Sequence, residues 1–372
     1  MVKHESRDGV IRTCTAPPGR CPLDTAHGDS EAEVLESIAR SEELIPESSA
    51  ESESKSGVYE RFERRESELT NEVLGDRHRA EAKRIARDEQ RAQKRGHFTA
   101  KELERRLNFV NEQTSILVQN GVDTESLYSR ETPNGRMYEP ERARIHTEIV
   151  DSYMERHAHV PQEGKAIMAG GVGGSGKGFV LANAGIVEKG EYATVNPDDV
   201  KEEMASRGLV PKIHSFTPME SSTLVHEEAS HVSKLIAYRL RSEKRNLVYD
   251  ATMGGFDSTT KKITDLRQDG YKVSAVFVDV PAHVSEERAV SRYEISMNEW
   301  AQSKNSIGGR PLDKKHIRQQ RTDGPANSKN AENFVALAEG LDLKSPRVFD
   351  NNTGGAPREL PFTEFADHVE QR

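Results

Sequence analysis

The chain has 372 residues, 34% of them hydrophobic and 31% charged, with a formal net charge of −9. That length holds one sizeable α/β domain plus a further segment, and the polar balance excludes a compact fold throughout. The net negative charge gives no general electrostatic basis for nucleic acid as a partner, and no apolar run approaches bilayer length, so no membrane partner is expected.

Two cysteines, Cys14 and Cys21, lack C-x-x-C spacing and read as free thiols in a reducing compartment. With no apolar leader after Met1, the expected location is cytoplasmic. Residues 1–57 are rich in Ser, Glu, Asp and Pro and predict a disordered acidic and polar arm, with Glu31 to Leu44 as its amphipathic fragment.

Residues 58–138 predict a charged helical extension. Arg, Lys and Glu are dense between Tyr59 and Leu117, and Phe62, Leu69, Val73 and Leu74 are too sparse for a heptad seam, so solvated helices with i, i+4 charge partners follow. The basic stretch RHRAEAKRIARDEQRAQKR reads as a charge-laced surface helix, with contact to phosphate backbones as the alternative. After the turn formers Pro133-Asn134-Gly135, a helix is expected from Pro140 to His157, with Ile145, Ile149 and Met154 facing a core. It opens a domain expected over 139–372.

The segment KAIMAGGVGGSGKGFVL, Lys165 to Leu181, is an apolar strand that breaks into glycines before a helix. Gly171-Val-Gly173-Gly174-Ser175-Gly176-Lys177 fits G-x-x-x-x-G-K, in which backbone N–H groups curl around phosphate oxygens and the lysine reaches the β- and γ-phosphates. The next position, where a Ser or Thr hydroxyl usually binds Mg²⁺, is Gly178.

Downstream, strands are predicted at Tyr192–Asn196, Asn246–Asp250, Lys272–Val280 and Arg347–Asp350. Helices are predicted at Gly176–Val187, Asp199–Ser206, Met219–Ser242, Ser258–Asp269 and Val284–Trp300. The alternation implies a three-layer α/β domain with a mainly parallel sheet and ligands at the strands' carboxyl ends. Asn196-Pro197-Asp198-Asp199 offers a carboxylate for a substrate hydroxyl, and equally an ordinary helix start. Leu247-Val-Tyr-Asp250 has the form of a Walker B strand, with Asp250 as candidate metal ligand and Thr252 just beyond it. Glu228 and Ser230, in HEEASH, are candidate substrate contacts, although a solvated helix face explains them equally; the spacing is not that of a zinc H-E-x-x-H motif. Arg292 and Arg310 are candidate lid arginines for a transferring phosphoryl group, ahead of Arg288, and pairing of Arg288 and Arg292 with Glu287 or Glu294 is the alternative.

In their order and spacing, AGGVGGSGKG, NPDDVK, EEAS, NLVYDATM, DGYKVSAVFVDVP, SRYE and GGRP resemble the zeta toxin family of P-loop kinases, from Lys165 to about Phe349. The resemblance implies a P-loop NTPase/kinase-type fold and ATP-dependent phosphorylation of the 3′-hydroxyl of UDP-N-acetylglucosamine, which blocks cell-wall synthesis. It implies ATP and Mg²⁺ as cofactors and an antitoxin protein as a partner. Lys177 would hold the ATP phosphates with Gly171, Gly173, Gly174, Ser175, Gly176 and Gly178. Asp198 would be the catalytic base, with Arg292 and Arg310 stabilising the phosphoryl group. Glu228, Ser230 and Thr252 would line the sugar-nucleotide pocket, and Asp250 would face the metal, where several relatives carry Glu. The alternatives are a P-loop kinase for another small-molecule or nucleic-acid hydroxyl, and a catalytically weak nucleotide-binding module, the latter motivated by Gly178.

Overall fold

The computed structural model describes residues 2–5, 11–14, 55–132, 135–303, 305–311, 317–318, 328–352 and 355–370. Most of the expected arm, with Cys21 and the fragment Glu31 to Leu44, lies outside the described residues. The chain divides into two compact units, Met1–Ala50 with Ser129–Arg144, and Glu51–Tyr128 with Ile145–Arg372. In the first, β1 (Val2–Glu5) pairs antiparallel with β2 (Ile11–Cys14), and β3 (Ser129–Thr132) with β4 (Gly135–Tyr138).

The second unit begins with three helices, α1 (Lys55–Arg95), α2 (Ala100–Gln119) and α3 (Thr124–Tyr128). Gly75, at φ 61° and ψ −158°, kinks α1. A reciprocal Thr99/Glu102 capping box starts α2. The expectation of solvated helices is corrected here. Ala82 and Ile85 of α1 meet Phe109 and Val110 of α2 and the side chain of Phe216. Each helix alone carries too few apolar residues for a seam, but pooled with a third surface they make a core. Helix α4 (Pro140–Arg156) follows, with Ile145, Ile149 and Met154 buried as its spacing predicts.

The sheet consists of β5 (Lys165–Gly170), β6 (Ala193–Val195), β7 (Leu247–Asp250), β8 (Lys272–Asp279), β9 (Arg347–Asp350) and β10 (Arg358–Leu360) in the order β10-β9-β8-β5-β7-β6. All neighbours run parallel except β10, which joins the edge antiparallel. Every residue of β5 after Lys165 is buried, as expected of a central parallel strand covered on both faces. One face packs Ile167, Val248, Val276, Val278 and Phe349 against Val180 and Leu181 of α5 (Lys177–Asn183). On the other, Phe277 stacks on Phe334, ring centroids 5.1 Å apart, and meets Phe365. The α/β class with a mainly parallel sheet covered by helices on both faces is as the strand–helix alternation predicts. Truncating Ile167 to Ala in this layer is expected to cost about 2–5 kcal/mol.

The remaining helices are α6 (Pro197–Ser206), α7 (His226–Ser242), α8 (Phe256–Gln268), α9 (Ala282–Gln302), α10 (Lys329–Gly340) and α11 (Phe362–Glu370). Helices α10 and α11 lie beyond the predicted set, and two predicted helices, at Gly176–Val187 and Met219–Ser242, differ in extent. Helix α5 stops at Asn183 because Gly185 adopts φ 62° and the Ile186 and Gly185 N–H groups bond back to Leu181 and Ala182, a Schellman ending. The predicted helix from Met219 begins instead as a 3₁₀ segment, Pro218–Val225. Ser221, Ser222 and Thr223 favour local alternatives to the α form, and α geometry starts only at His226.

Candidate active site

Parallel register brings Gly170, Asp250 and Asn196 to one edge of the sheet, since Ala169 lies opposite Asp250 and Val195 opposite Tyr249. The glycine-rich loop springs from β5 at that edge. Gly171 has φ 134°, and a Cβ there would lie 2.5 Å from the Val278 carbonyl; at Gly174, with φ 85°, it would lie 2.5 Å from the Ser285 carbonyl. Only glycine follows this path. The N-cap of α5 is Gly176, so no side chain caps the first-turn N–H groups, as an anion seat requires.

The loop is braced from behind by residues the sequence reading ranked low or missed. Asn351 Nδ2 donates to the Ser175 carbonyl at 2.8 Å, and Arg288 donates to the same carbonyl at 3.3 Å and to that of Asn351 at 2.8 Å. Arg288 thus supports the phosphate loop rather than pairing with Glu287 or Glu294. Ser285 Oγ donates to the Gly173 carbonyl. Nothing in the motif spacing marks Asn351, which comes from the far end of β9.

Lys177 points back over the loop, its Nζ donating to the Gly171 carbonyl at 2.9 Å and lying 3.5 Å from Asp250 Oδ1. Asp250 Oδ2 accepts from Asn196 Nδ2 at 3.3 Å, and Asn196 Oδ1 caps α6 by accepting the Asp198 N–H at 2.9 Å. One side chain therefore connects the Walker B carboxylate to the Asp198 turn. Asn196, rather than Asp198 or Asp199, is thus the N-cap of α6.

Asp198 is gripped on two sides, by Arg310 at 2.5 Å and by Lys201 at 3.2 Å. Burial opposes its charge, but Arg310 and then Lys201 outweigh that and hold the carboxyl below the ordinary aspartate value. Burial lowers the pKa of Lys201 against the pull of Asp198. Arg292 is exposed, and partial desolvation followed by the charge of Arg310 lowers its pKa, with Asp198 acting the other way. Of the two predicted lid arginines, Arg310 meets Asp198 directly, and Arg292 feels its charge only at longer range. The neighbouring Asp199 has its carboxyl pushed up to about 6, by desolvation at the wall of a cavity and by Glu202, Asp250 and Asp198. That cavity, about 310 Å³, is lined by Tyr153, Arg156, His157, Asn196, Asp199 and Glu203 among others.

The other expected site residues lie as follows. Thr252 accepts the Gly171 N–H through its carbonyl at 3.3 Å, placing it against the loop. Glu228 is fully buried with its carboxylate 2.7 Å from His146 Nε2, and Ser230 Oγ donates to the His226 carbonyl on its own helix. Gly178 has open space where a Cβ would go, so no steric demand imposes glycine there. Among the described residues no group of three or more His, Cys, Asp or Glu is placed to hold a metal, and no helix is long and apolar enough to cross a membrane.

Comparison with solved structures finds likeness to a chain of the PezAT chromosomal toxin–antitoxin system of Streptococcus pneumoniae, at 15% identity over 62% of this chain and 86% of that one, with a TM-score of 0.43. It also finds a chain of the AvrRxo1-ORF1:-ORF2 complex with ATP, at 16% identity over 64% of this chain and 75% of that one, TM-score 0.43. No curated protein matches. The profile of the Zeta toxin family matches residues 150–352, more than half of the sequence, and so the chain belongs to the Zeta toxin family.

Proposed function

We propose that the protein is an ATP-dependent kinase that phosphorylates the 3′-hydroxyl of UDP-N-acetylglucosamine, acting as a toxin on cell-wall synthesis and held in check by an antitoxin. The observation that carries the kinase reading is the bridge through Asn196, which ties the Asp250 carboxylate of β7, beside Lys177, to the Asp198–Arg310 pair. Donor and acceptor machinery thereby share one rigid edge of the sheet, as in-line transfer requires.

In this reading ATP phosphates take the place of the Gly171 carbonyl as partners of Lys177 Nζ. The acceptor oxygen attacks the γ-phosphorus, the bond from that phosphorus to the β,γ-bridging oxygen breaks, and ADP leaves. Asp198 orients the attacking hydroxyl and takes its proton late, since a carboxylate held by two cations is a weak base. Arg310 and Arg292 answer the charge on the equatorial oxygens. Ser230 and Thr252 are proposed to contact the sugar nucleotide, whereas Glu228, fully buried against His146, is not placed to reach it.

Mg²⁺ fits what is present: Asp250 is a partly exposed hard oxygen donor beside the loop. When bound, the ion would neutralise phosphate charge, held mainly by phosphate and water with Asp250. A screen of UDP-sugars, nucleosides and 5′-hydroxyl oligonucleotides with labelled ATP tests the reading. Preference for UDP-N-acetylglucosamine is expected, and preference for an oligonucleotide end or a nucleoside contradicts it.

A further inference from the structure

Arg106 lies on α2, outside the part of the chain that matches the family, yet its side chain is 1% exposed. A buried guanidinium is unfavourable unless fully partnered. Its Nε and one Nη each donate to Glu220, both at 2.7 Å, while further bonds reach the Ser215 carbonyl at 2.8 Å and Glu89 at 2.9 Å. Burial works against its charge, but Glu220 raises its pKa on balance. Buried pairs of this kind add little net stability over apolar residues of the same volume, so this one calls for another account.

Glu220 is the hub. Its carboxylate also accepts the Tyr293 hydroxyl at 2.7 Å and the Thr217 N–H at 2.7 Å. These same groups form the bed of the GGRP loop. Met219 N–H donates to the Ile307 carbonyl at 2.9 Å, and Gly309 N–H to the Met297 sulfur at 3.3 Å. Gly308, at φ 81°, is pressed so closely on Thr217 that a Cβ would run into it, and a Cβ on Gly309 would lie 2.8 Å from the Tyr293 ring. The next residue is Arg310, which meets Asp198.

We infer that Arg106 is a positioning residue for phosphoryl transfer: by fixing Glu220, and through it Thr217 and Tyr293, it sets the path of residues 307–309 and so the reach of Arg310 to Asp198. The inference rests on the kinase reading proposed above and extends it to the helical segment before residue 150. Around the same point, Ala92, Phe98 and Leu103 pack with Tyr293, Met297 and Ala301, so the contact is broad enough to transmit a displacement.

The test uses the full-length chain with Arg106→Leu, Arg106→Lys and Tyr293→Phe. In Arg106→Leu, kcat with ATP and UDP-N-acetylglucosamine is expected to fall about 10²-fold, the loss that a small misplacement of a catalytic group brings. The KM for ATP should stay near wild type, and amide hydrogen exchange should rise at 306–310 but not at 166–170. Should Arg106→Leu fail to fold, Arg106→Lys, which keeps the charge without the fork, should show a smaller loss of the same kind. Tyr293→Phe removes one hydroxyl and no charge, and should raise exchange at 306–310 slightly. A folded variant with lowered melting temperature but wild-type kcat and unchanged exchange at 306–310 overturns the inference. If the wild type transfers nothing to UDP-N-acetylglucosamine, the acceptor assignment fails, and the exchange measurement alone decides the role of Arg106.

Discussion

The phosphate loop and the Asp198–Arg310 pair lie at the same sheet edge but are held in opposite ways. The loop is made by local sequence: a buried strand, glycines at φ values that only glycine adopts without strain, and a short helix, with Arg288 and Asn351 as distant braces. The pair is assembled from segments far apart, since Asp198 opens α6 and Arg310 arrives after α9 on a loop shaped by Thr217, Glu220 and Tyr293. Nucleotide binding should therefore survive perturbations of the rest of the unit that acceptor-side geometry does not.

The largest effect should fall on the loop itself. Lys177→Ala removes the side chain proposed to hold the ATP phosphates, and turnover should drop by at least about 10³-fold. Steady-state ADP release in the presence of UDP-N-acetylglucosamine measures it. Arg310→Lys keeps a charge but loses the planar fork; a loss in kcat of roughly 10²–10³-fold with ATP affinity nearly unchanged would separate the two halves as the comparison requires. An equal loss of ATP affinity would merge them.

Gly178→Thr sharpens the donor half. Open space surrounds the position, so a hydroxyl can be added without steric cost, and turnover should rise about tenfold, equivalent to roughly 1.4 kcal/mol on the barrier. Unchanged turnover, measured at saturating Mg²⁺, would show that Asp250 and water already suffice.

The smallest effect concerns Asp199. Its carboxyl is raised from 3.8 to about 6, so between those pH values the folded protein retains a proton that the unfolded chain has lost, and stability falls as pH rises through that window. Asp199→Asn should abolish this slope in denaturant titrations at pH 4, 5 and 6. The effect is modest because the residue is exposed and screened. Asp198 has the opposite sign: its lowered pKa gives stability that is lost as pH falls below the ordinary aspartate range.

Much of this was legible in the sequence because it is local. The β5 run, the glycine spacing, the Walker B strand and the β9 strand all stand where their patterns place them, and Asn196-Pro197-Asp198 reads correctly as a helix start. The 3₁₀ opening of Pro218–Val225 was hidden because its Ser-rich run still carries helix-compatible apolar spacing. Arg106, Lys201 and Asn351 could not be found that way, and Arg288 stands out in the sequence only as a lid candidate, not as the brace it is. A buried arginine on a highly charged helix looks like any of its solvated neighbours, and only the arrival of Glu220 from another segment distinguishes it. The apolar faces of α1 and α2 were misread for the same reason, since each is too sparse alone and sufficient only when combined.

The most direct test of the kinase account is mass spectrometry and NMR of UDP-N-acetylglucosamine after incubation with ATP, Mg²⁺ and either wild-type protein, Lys177→Ala or Asp198→Asn. The account predicts a single added phosphoryl group at the 3′-hydroxyl with the wild type, none with Lys177→Ala, and a strongly reduced yield with Asp198→Asn. Absence of product from the wild type, or equal yield from all three, would contradict it.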